Sequence, residues 1–280
     1  MKAKLCLYAV PFPWVTSYYE MIDIAADLGL PGVEGFNKFE LSQPDLDAAL
    51  DIRCYAEKKG ICFPCMSVFA DISGKDNRHE IERMKLYTQV AAILGAPYLH
   101  HTIVPALQDP DTILQNREQL FQSGLDAVRQ IFDHAAKYNV MTVFEDQGYL
   151  FNGVEGFERF LLEVDRKVGV VADMGNILQT DQLPEPFITA FGHRIVHTHI
   201  KDAKYKKTPQ LPENWIPTLS GGGFYPCSLG EGIVDVKKCI SLLRAQDYDG
   251  WYALEFAAGS GGRDAFASCI SKIESWIQAT

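Results

Sequence analysis

Four apolar runs in the sequence each end in, or pass through, a side chain that could bind a metal ion. These side chains are Glu145, Asp173, His199 and Glu255. An acidic or imidazole group at the end of a buried strand is costly to bury unless something pairs with it. A divalent cation can pair with several such groups at once, so the pattern predicts a mononuclear metal site.

The ligand types narrow the choice of metal ion. Three carboxylates and one imidazole form an oxygen-rich set without a thiolate, which favours Mn²⁺ or Mg²⁺ and also allows Co²⁺ or Zn²⁺. We expect one divalent ion, Mn²⁺ before the others. Three carboxylates carry more charge than one dication neutralises, which leaves one of them able to exchange a proton while the ion polarises a substrate oxygen. This combination predicts proton abstraction beside a carbonyl.

The segments that would position these residues alternate between strand-like and helix-like patterns. Strand-like runs predict eight strands, at 5–9, 32–36, 61–69, 98–103, 141–145, 168–173, 195–200 and 251–256. Amphipathic runs predict eight helices, at 17–28, 44–59, 80–94, 111–138, 154–167, 184–192, 235–246 and 262–277. Gly29, Gly60 and Gly95 follow three of the helices, as C-terminal caps do.

Eight strand-helix units predict an α/β fold, a single (β/α)₈ TIM barrel over residues 1–280. The length of 280 residues is close to the roughly 250 that are typical of this barrel. An open doubly wound sheet usually has a glycine-rich first turn, and the turn at 10–14 has no glycine. Barrel enzymes place catalytic groups at the C-terminal ends of the strands. Our four candidate ligands lie there, on the last four strands.

One long stretch, 202–232, interrupts the alternation after the seventh strand. It is rich in Pro, Lys and Gly, and the pattern predicts an irregular loop. Long loops in compact domains are usually functional. In a barrel, a loop that follows the C-terminal end of a strand is expected to lie over the active site.

Composition excludes several classes of function. A net charge of −10 disfavours a protein that grips phosphate backbones, so no nucleic acid partner is expected. No apolar run is long enough to span a bilayer and no signal-type cleavage site is visible, which predicts a cytoplasmic protein without a membrane partner. An odd number of cysteines, seven, suits a reducing compartment. The Cys62-Phe-Pro-Cys65 motif resembles a redox motif, but a continuing strand would point its thiols to opposite faces.

Six motifs resemble the xylose-isomerase-like TIM barrels, the sugar phosphate isomerase/epimerase family. They are Gly32-Val-Glu-Gly35, Phe144-Glu-Asp146, Asp173-Met-Gly-Asn176, His197-Thr-His-Ile-Lys-Asp202, Leu229-Gly-Glu-Gly-Ile-Val-Asp235 and Leu254-Glu255. The resemblance covers essentially the whole chain. That family includes sugar isomerases and epimerases, hydroxypyruvate isomerase, inosose and dehydroshikimate dehydratases, and endonuclease IV.

The resemblance implies roles for the four candidate ligands. All four would bind the metal, and Glu145 and Glu255 would also act as the acid/base pair on opposite sides of the substrate. Proton abstraction next to a carbonyl would give a metal-bound enediolate and then an epimer or an aldose/ketose isomer. The function expected first is therefore a metal-dependent isomerase or epimerase of a small sugar, keto sugar or sugar phosphate. A dehydratase of the inosose or 3-dehydroshikimate type is the alternative.

The family also contains partners and reactions that this sequence does not match. Endonuclease IV needs further histidines for two more zinc ions, and neither the third predicted strand nor the 202–232 stretch contains one. A barrel that has lost its enzymatic activity and only binds a sugar would be expected to lack one of the metal-binding residues, but all four are present.

Barrels of this kind often dimerise, which makes a homodimer the expected oligomer.

Five further residues are candidates for substrate binding, namely Asn176, Lys201, Asp202, Trp14 and His101. Asn176 stands where many family members carry a histidine, and it can hydrogen-bond a hydroxyl. Lys201 and Asp202 could bind substrate oxygens or orient His199, with a surface ion pair as the alternative. Trp14 could form an apolar wall for the sugar or a lid.

Two adjacent histidines end the fourth predicted strand. Because side chains alternate along a strand, only one of His100 and His101 points inward, and we expect it to be His101. His197 has the same parity as His199 but lies deeper, which favours a core histidine over a ligand. Glu34 points from the second strand and could hold a substrate hydroxyl or an internal ion pair.

Overall fold

A parallel sheet curves into the wall of a barrel. The computed structural model describes residues 3–8, 12–104, 109–208, 210–256 and 262–279. Within them the strands are β1 (Leu5–Leu7), β2 (Gly32–Val33), β3 (Gly35–Phe36), β4 (Cys65–Val68), β5 (Tyr98–His101), β6 (Met141–Glu145), β7 (Gly169–Asp173), β8 (Ile195–Ile200), β9 (Asp202–Lys207), β10 (Ile216–Pro217), β11 (Gly222–Cys227) and β12 (Trp251–Leu254). The wall follows the order β2-β1-β12-β8-β7-β6-β5-β4-β3.

The strands β2 and β3 are two halves of one predicted strand, and Glu34 lies between them. β2 pairs with β1, and β3 pairs with β4, all in parallel. The wall therefore closes through the chain at Glu34, which confirms the predicted (β/α)₈ TIM barrel. The predicted bounds of β6 and β8 agree with the structure, and the other wall strands are shorter than predicted.

Helices surround the barrel as the sequence predicts, with one correction. They are α1 (Tyr18–Asp27), α2 (Leu46–Lys59), α3 (Arg78–Leu94), α4 (Pro110–Gln115), α5 (Arg117–Ala135), α6 (Gly153–Glu163), α7 (Pro184–Phe191), α8 (Val236–Arg244) and α9 (Gly262–Gln278). The predicted helix 111–138 is instead two helices that part at Asn116, whose side chain donates to the Thr112 carbonyl at 2.9 Å. Such local side-chain bonds compete with the helical pattern.

Glycines end three of the helices, as predicted, and allow the chain to turn there. Gly60 and Gly95 cap α2 and α3 with φ angles of 71° and 77°. A side chain at this left-handed conformation would be strained, so glycine lets the chain turn directly back into the next barrel strand. Gly29 follows Leu28, the C-cap of α1, with a φ angle of 70°, so all three predicted glycines adopt the left-handed conformation at helix ends.

The cysteine motif is part of the wall and does not form a redox pair. Cys65 begins β4 and is buried, whereas Cys62 is exposed, and both are free thiols. A strand that continues from the motif separates the two thiols, as predicted. Among the described residues, no helix is long and apolar enough to cross a membrane.

Side chains inside the barrel lie in layers. Cys65, Val143 and Val171 form a small apolar cluster of their own. Because side chains two residues apart share one face of a strand, the next layer towards the C-terminal ends contains Ser67, Glu145 and Asp173. Polar side chains therefore begin one layer above an apolar floor.

The stretch 202–232 contains a small antiparallel sheet in the order β10-β11-β9. The expectation of an irregular loop is wrong here, because β9 and β11 pair from Asp202–Cys227 to Lys207–Gly222. The sheet contacts the segment after β7, where Leu219 donates its backbone N–H to the Gln179 carbonyl at 3.0 Å. Its predicted position over the active site stays a prediction.

Asp202 holds the end of the stretch 202–232, which we call the excursion, against the barrel. One carboxylate oxygen accepts from the backbone N–H groups of Gly230 and Gly232, at 2.8 and 3.0 Å. The other accepts from Ala203 and Val234, at 2.8 and 3.2 Å. A β-carbon at position 232 would collide with this carboxylate, so the Gly-Glu-Gly motif supplies the space that the close approach needs.

The replacement Asp202→Ala is expected to destabilise the fold. Four backbone N–H groups lose their acceptor, and buried unsatisfied donors are costly, so the free energy of unfolding should fall by about 3 kcal/mol. Denaturant unfolding measures the change. Asp249→Ala, which removes an exposed partner of Lys4, is the matched control and should cost less than about 1 kcal/mol. Equal stability of the two variants would contradict the anchoring role.

Candidate metal centre

Three of the four predicted ligands present carboxylate oxygens to one nitrogen of the fourth. His199 Nδ1 lies 2.9 Å from Glu145 Oε2, 3.1 Å from Glu255 Oε2 and 3.6 Å from Asp173 Oδ2. The side chains of Glu145, Asp173 and His199 are buried, and that of Glu255 is 13% exposed. The structure thus brings all four together at the C-terminal ends of β6, β7, β8 and β12, as the barrel requires. Their binding of a metal stays a prediction.

The opposite nitrogen of His199 is held from below by Glu34. His199 Nε2 lies 3.1 Å from Glu34 Oε1. A carboxylate only accepts, which assigns a proton to Nε2 and leaves the lone pair of the neutral ring on Nδ1. Nδ1 itself has no aligned hydrogen-bond partner among the described residues. A histidine whose second nitrogen donates to a carboxylate is the usual arrangement of a metal ligand.

The chemistry of the donors fits a hard divalent cation. One ligand atom each from Glu145, Asp173 and His199 lie within 4.8 Å of one another. Glu255 adds a fourth donor through its contact with His199. Oxygen-rich sets with one imidazole are suited to Mn²⁺ or Mg²⁺, and Zn²⁺ can also bind them.

Lys201 is the cation that accompanies these carboxylates. Its Nζ lies 2.7 Å from Glu255 Oε1 and 2.9 Å from Asp173 Oδ2. Burial acts to lower the pKa of Lys201, but the charges of Asp173 and Glu255 outweigh it and raise the pKa above its ordinary value. The ammonium offsets one of the three carboxylate charges, and the remaining two equal the charge of one dication. With all three carboxylates ionised, the site therefore keeps the negative charge that one divalent cation would neutralise.

Asn176 links the two sides of the centre. Its amide nitrogen donates to Glu145 Oε1 at 2.5 Å, and its amide oxygen accepts from Lys201 at 3.1 Å. Asp173 Oδ1 accepts from the backbone N–H groups of Gly175 and Asn176 at 2.7 and 2.8 Å. These bonds direct the other carboxylate oxygens of Glu145 and Asp173 towards His199.

A second group of ligand-type side chains lies deeper in the barrel. Cys6, Glu34 and His197 also approach within 4.8 Å of one another. His197 Nε2 lies 2.6 Å from Glu34 Oε2, so these two groups already pair with each other. Burial raises the pKa of the Cys6 thiol, which keeps it protonated and a poor ligand. The predicted core role of His197 and the ion-pair alternative for Glu34 are confirmed.

A cavity of about 150 Å³ opens beside the carboxylates. Glu145 and Glu255 line it together with two acceptor-bearing side chains, His100 and Gln147. Its other wall is apolar and contains Tyr8, Phe36, Val68 and Phe69. An engineered cavity of roughly this volume holds one benzene molecule, so a six-membered ring is the size of ligand that it suits.

Of the two adjacent histidines, His100 lies beside the four ligands, and the predicted contact of His101 with substrate stays a prediction. His100 Nε2 lies 3.7 Å from Glu145 Oε2, and its ring stands edge-on to His199. His101 packs against Phe144 instead, with ring centroids 4.9 Å apart. Alternation of side chains along the strand could not show which of the two histidines points towards the barrel axis.

Two other candidates lie away from the four ligands. Trp14 is 61% exposed and packs on Phe12, which leaves its predicted role at the substrate untested. Asp202 uses both of its oxygens on backbone N–H groups. Its contacts therefore support a structural role, and substrate binding by Asp202 has no support from the geometry.

Two cavity residues escaped the sequence interpretation. Gln147 lies two positions after Glu145, just beyond the end of β6, and this position at the C-terminal edge of the barrel was a usable signal. Tyr8 directly follows β1, at the same end of the barrel as the ligands, and its ring lies 5.4 Å from that of His199. A strand-end position for an aromatic residue is common, so this signal was weak.

Comparison with known proteins decides the family. A family model described as xylose isomerase-like TIM barrel matches residues 22–274. The chain belongs to the xylose isomerase-like TIM barrel family. Inosose dehydratase from Geobacillus thermodenitrificans is 22% identical over 251 residues, and inosose dehydratase from Glaesserella parasuis is 26% identical over 252 residues. Each alignment covers 85% of this chain and 82% of the relative.

Solved structures of other family members share the fold. The IOLI protein with a bound zinc atom has a TM-score of 0.76 at 17% identity, over 100% of this chain and 99% of that one. A family member from Mycobacterium smegmatis in complex with magnesium has a TM-score of 0.74 at 15% identity, over 99% and 97%. D-allulose 3-epimerase from Methylomonas sp. has a TM-score of 0.74 at 16% identity, over 98% of both chains. Structural relatives thus hold divalent metals.

The replacement Glu34→Gln is expected to weaken metal binding without unfolding the barrel. Partners that orient a metal-binding histidine typically contribute a factor of about 10–100 in metal affinity, and glutamine removes the charge that fixes His199. Calorimetric titration of Mn²⁺ measures the affinity. Glu158→Gln, an exposed change on α6, should leave it unchanged. Unaltered affinity in Glu34→Gln would show that Glu34 does not orient a ligand.

Metal binding to this family member is also expected to release a proton. Burial acts to lower the pKa of His199, but Glu34 and the neighbouring carboxylates outweigh it and raise the pKa well above its ordinary value. A cation must therefore displace the Nδ1 proton, so metal affinity should rise with pH until the pH exceeds that raised pKa. Calorimetry in buffers of different ionisation enthalpy should count about one proton per Mn²⁺ at neutral pH. A count of zero would mean that His199 Nδ1 carries no proton before the metal binds, and would contradict the raised pKa.

Proposed function

We propose that this chain is a metal-dependent lyase that removes water from a small cyclic polyol ketone. The observation that carries the proposal is the pair Glu145 and Glu255, which share one cavity and both approach His199 Nδ1. Two carboxylates at one substrate site can divide the roles of base and acid. The names of the inosose dehydratases, which align with 85% of the chain, favour loss of water.

The environments of the two glutamates favour different roles. Burial raises the pKa of Glu255 above its ordinary value, even though Lys201 acts against the shift. Burial also acts on Glu145, but His199, whose Nδ1 lies 2.9 Å away, outweighs it and lowers the pKa of that carboxyl. Paired carboxyls whose pKa values are pushed apart can be assigned as base and acid. We assign Glu145 as the base and Glu255 as the acid.

The chain's own residues would then carry out the proton transfers. Glu145 takes the proton from the carbon next to the carbonyl, through Oε2, because Asn176 holds its Oε1. Glu255, in its protonated form, gives its proton to the hydroxyl on the next carbon. The C–O bond breaks, water departs and Glu255 is left as a carboxylate. Lys201 holds Glu255 Oε1 and fixes the direction of its other oxygen. A divalent cation, held by Glu145, Asp173, His199 and Glu255, would supply polarisation of the carbonyl oxygen.

The apolar wall of the cavity supports a ring-shaped substrate. Tyr8 and Phe36 pack together, with ring centroids 5.7 Å apart, and offer a surface for the C–H face of a polyol ring. The opposite side offers carboxylates for its hydroxyl and carbonyl groups. Ligand sites generally combine such apolar walls with a few placed polar groups.

An isomerase or epimerase is the second candidate. The same cavity exposes both Glu145 and Glu255, so a proton taken by one carboxylate can be returned by the other. This reaction shares the first step with dehydration and differs only in whether the hydroxyl leaves. The fate of that hydroxyl separates the two candidates.

Product mass tests the proposal directly. The Mn²⁺-loaded protein should convert an inosose or 3-dehydroshikimate to a product lighter by one water, detected by mass spectrometry. In heavy water, deuterium uptake into the carbon beside the carbonyl would report the shared first step. A product of unchanged heavy-atom composition would favour the isomerase or epimerase, and neither change across a panel that includes keto sugars would exclude both.

The replacement Glu145→Gln is expected to abolish turnover while the fold is kept. Loss of a general base typically costs about 100- to 10,000-fold in rate, because glutamine cannot accept the proton. Steady-state rates and circular dichroism are the measurements. Glu213→Gln, an exposed change in the excursion, is the matched control and should behave like the unmodified protein. Full activity of Glu145→Gln would refute its role as the base.

A further inference from the structure

We propose that three side chains beside Glu145 form a subsite for adjacent hydroxyl groups of an unphosphorylated polyol. They are His100, His101 and Gln147, which together form the acceptor wall. The inference rests on the proposed function and deepens it, because it names the groups by which the substrate would be recognised.

The acceptor wall contains three buried polar atoms without a hydrogen-bond partner in the described part of the chain. They are His100 Nε2, His101 Nε2 and Gln147 Oε1. The two histidines are 5% and 1% exposed. Native proteins leave few buried polar atoms unsatisfied, and three such atoms around one opening indicate that a ligand completes them.

The backbone fixes the free nitrogen of His101 as an acceptor. Its Nδ1 lies 3.2 Å from the carbonyl oxygen of Thr102. A carbonyl oxygen only accepts, so this contact assigns the ring proton of the neutral imidazole to Nδ1. His101 Nε2 therefore carries a lone pair and needs a donor.

A chain of hydrogen bonds makes the free nitrogen of His100, Nε2, an acceptor as well. Its Nδ1 lies 3.1 Å from Ser67 Oγ, and Ser67 donates its only proton to Glu34 Oε1 at 2.5 Å. Ser67 can then only accept from His100, which assigns the ring proton to Nδ1 and a lone pair to Nε2. The amide oxygen of Gln147 is an acceptor by its nature. All three free atoms therefore require donors.

The three acceptors open into joined cavities. A recess of about 10 Å³ is lined by all three residues of the acceptor wall. His100, Gln147 and Glu145 also line the larger cavity beside the metal centre. The recess is about the size that one water molecule needs, and a hydroxyl group is of similar size. Neighbouring hydroxyls of one ring could thus reach His101 in the recess and His100 or Gln147 at its mouth.

The same wall is unsuited to a phosphate group. Among the described residues that line the two cavities, none is lysine or arginine. The sequence also has neither at 9–11, 105–108 or 257–261. Phosphate oxygens need donors, and arginine or lysine usually supplies them. Acceptors and the Glu145 carboxylate would instead repel a phosphorylated ring.

A ligand series tests the subsite without any change to the protein. Calorimetry on the Mn²⁺-loaded protein compares inositol, its monodeoxy derivatives and its monophosphates. Removal of a hydroxyl at each of two adjacent positions should weaken binding by about 10- to 100-fold, because an acceptor is left unsatisfied. A phosphate at those positions should prevent measurable binding. Deoxyinositols that all bind within about twofold of inositol would show that the acceptors hold only water and would overturn the proposal.

The replacement Gln147→Leu tests the wall from the protein side. The variant should bind inositol about tenfold more weakly, yet should lose nothing with the one deoxyinositol that lacks the hydroxyl read by Gln147. Gln130→Leu, an exposed change on α5, is the matched control, and circular dichroism checks folding. Equal losses for every ligand, or none, would contradict a specific contact.

The two proposals fail in different ways. Hydroxyl discrimination by the protein together with no reaction of any polyol ketone would reject the lyase and keep the subsite. Loss of water from an inosose, together with binding that does not depend on hydroxyl position, would keep the lyase and reject the subsite.

Discussion

The contact between Glu34 and His199 connects the barrel to its chemistry. Glu34 lies between β2 and β3, where the wall closes. Its buried carboxylate accepts hydrogen bonds from His199, His197 and Ser67. These bonds offset the cost of burying the charge. They also fix the proton of His199 on the lower nitrogen, so the upper nitrogen faces Glu145, Asp173 and Glu255. The same carboxylate thus supports both the fold and the candidate metal centre.

Charge balance explains the arrangement above that contact. Lys201 offsets one of three gathered carboxylates and leaves the charge that a dication would neutralise. Asn176 and the backbone after β7 take the outward oxygens, so the remaining ones converge. Because no lysine or arginine lines the described part of the cavity, its acceptors are available for a neutral polyol. Under the two proposals, the candidate metal centre and the acceptor wall would serve one type of substrate.

The sequence predicted the barrel and the residues at its strand ends, because both follow from local pattern. Glu145 and Asp173 end strands whose apolar runs are unmistakable, and the barrel rule places such ends together. Contacts between distant segments were harder to predict. Glu34 and His197 are separated by 163 positions, so only the closed wall shows that they pair. The pairing of β9 with β11 is equally non-local, and their alternation is obscured by lysines and glycines.

Anomalous diffraction from crystals grown with Mn²⁺ tests the central claim most directly. The account predicts one strong manganese peak within bonding distance of His199 Nδ1 and of the oxygens of Glu145, Asp173 and Glu255. The same peak should disappear in crystals of His199→Ala. A peak elsewhere in the barrel, or no peak at saturating Mn²⁺ while Lys201 fills the space between the carboxylates, would contradict a metal centre at this position.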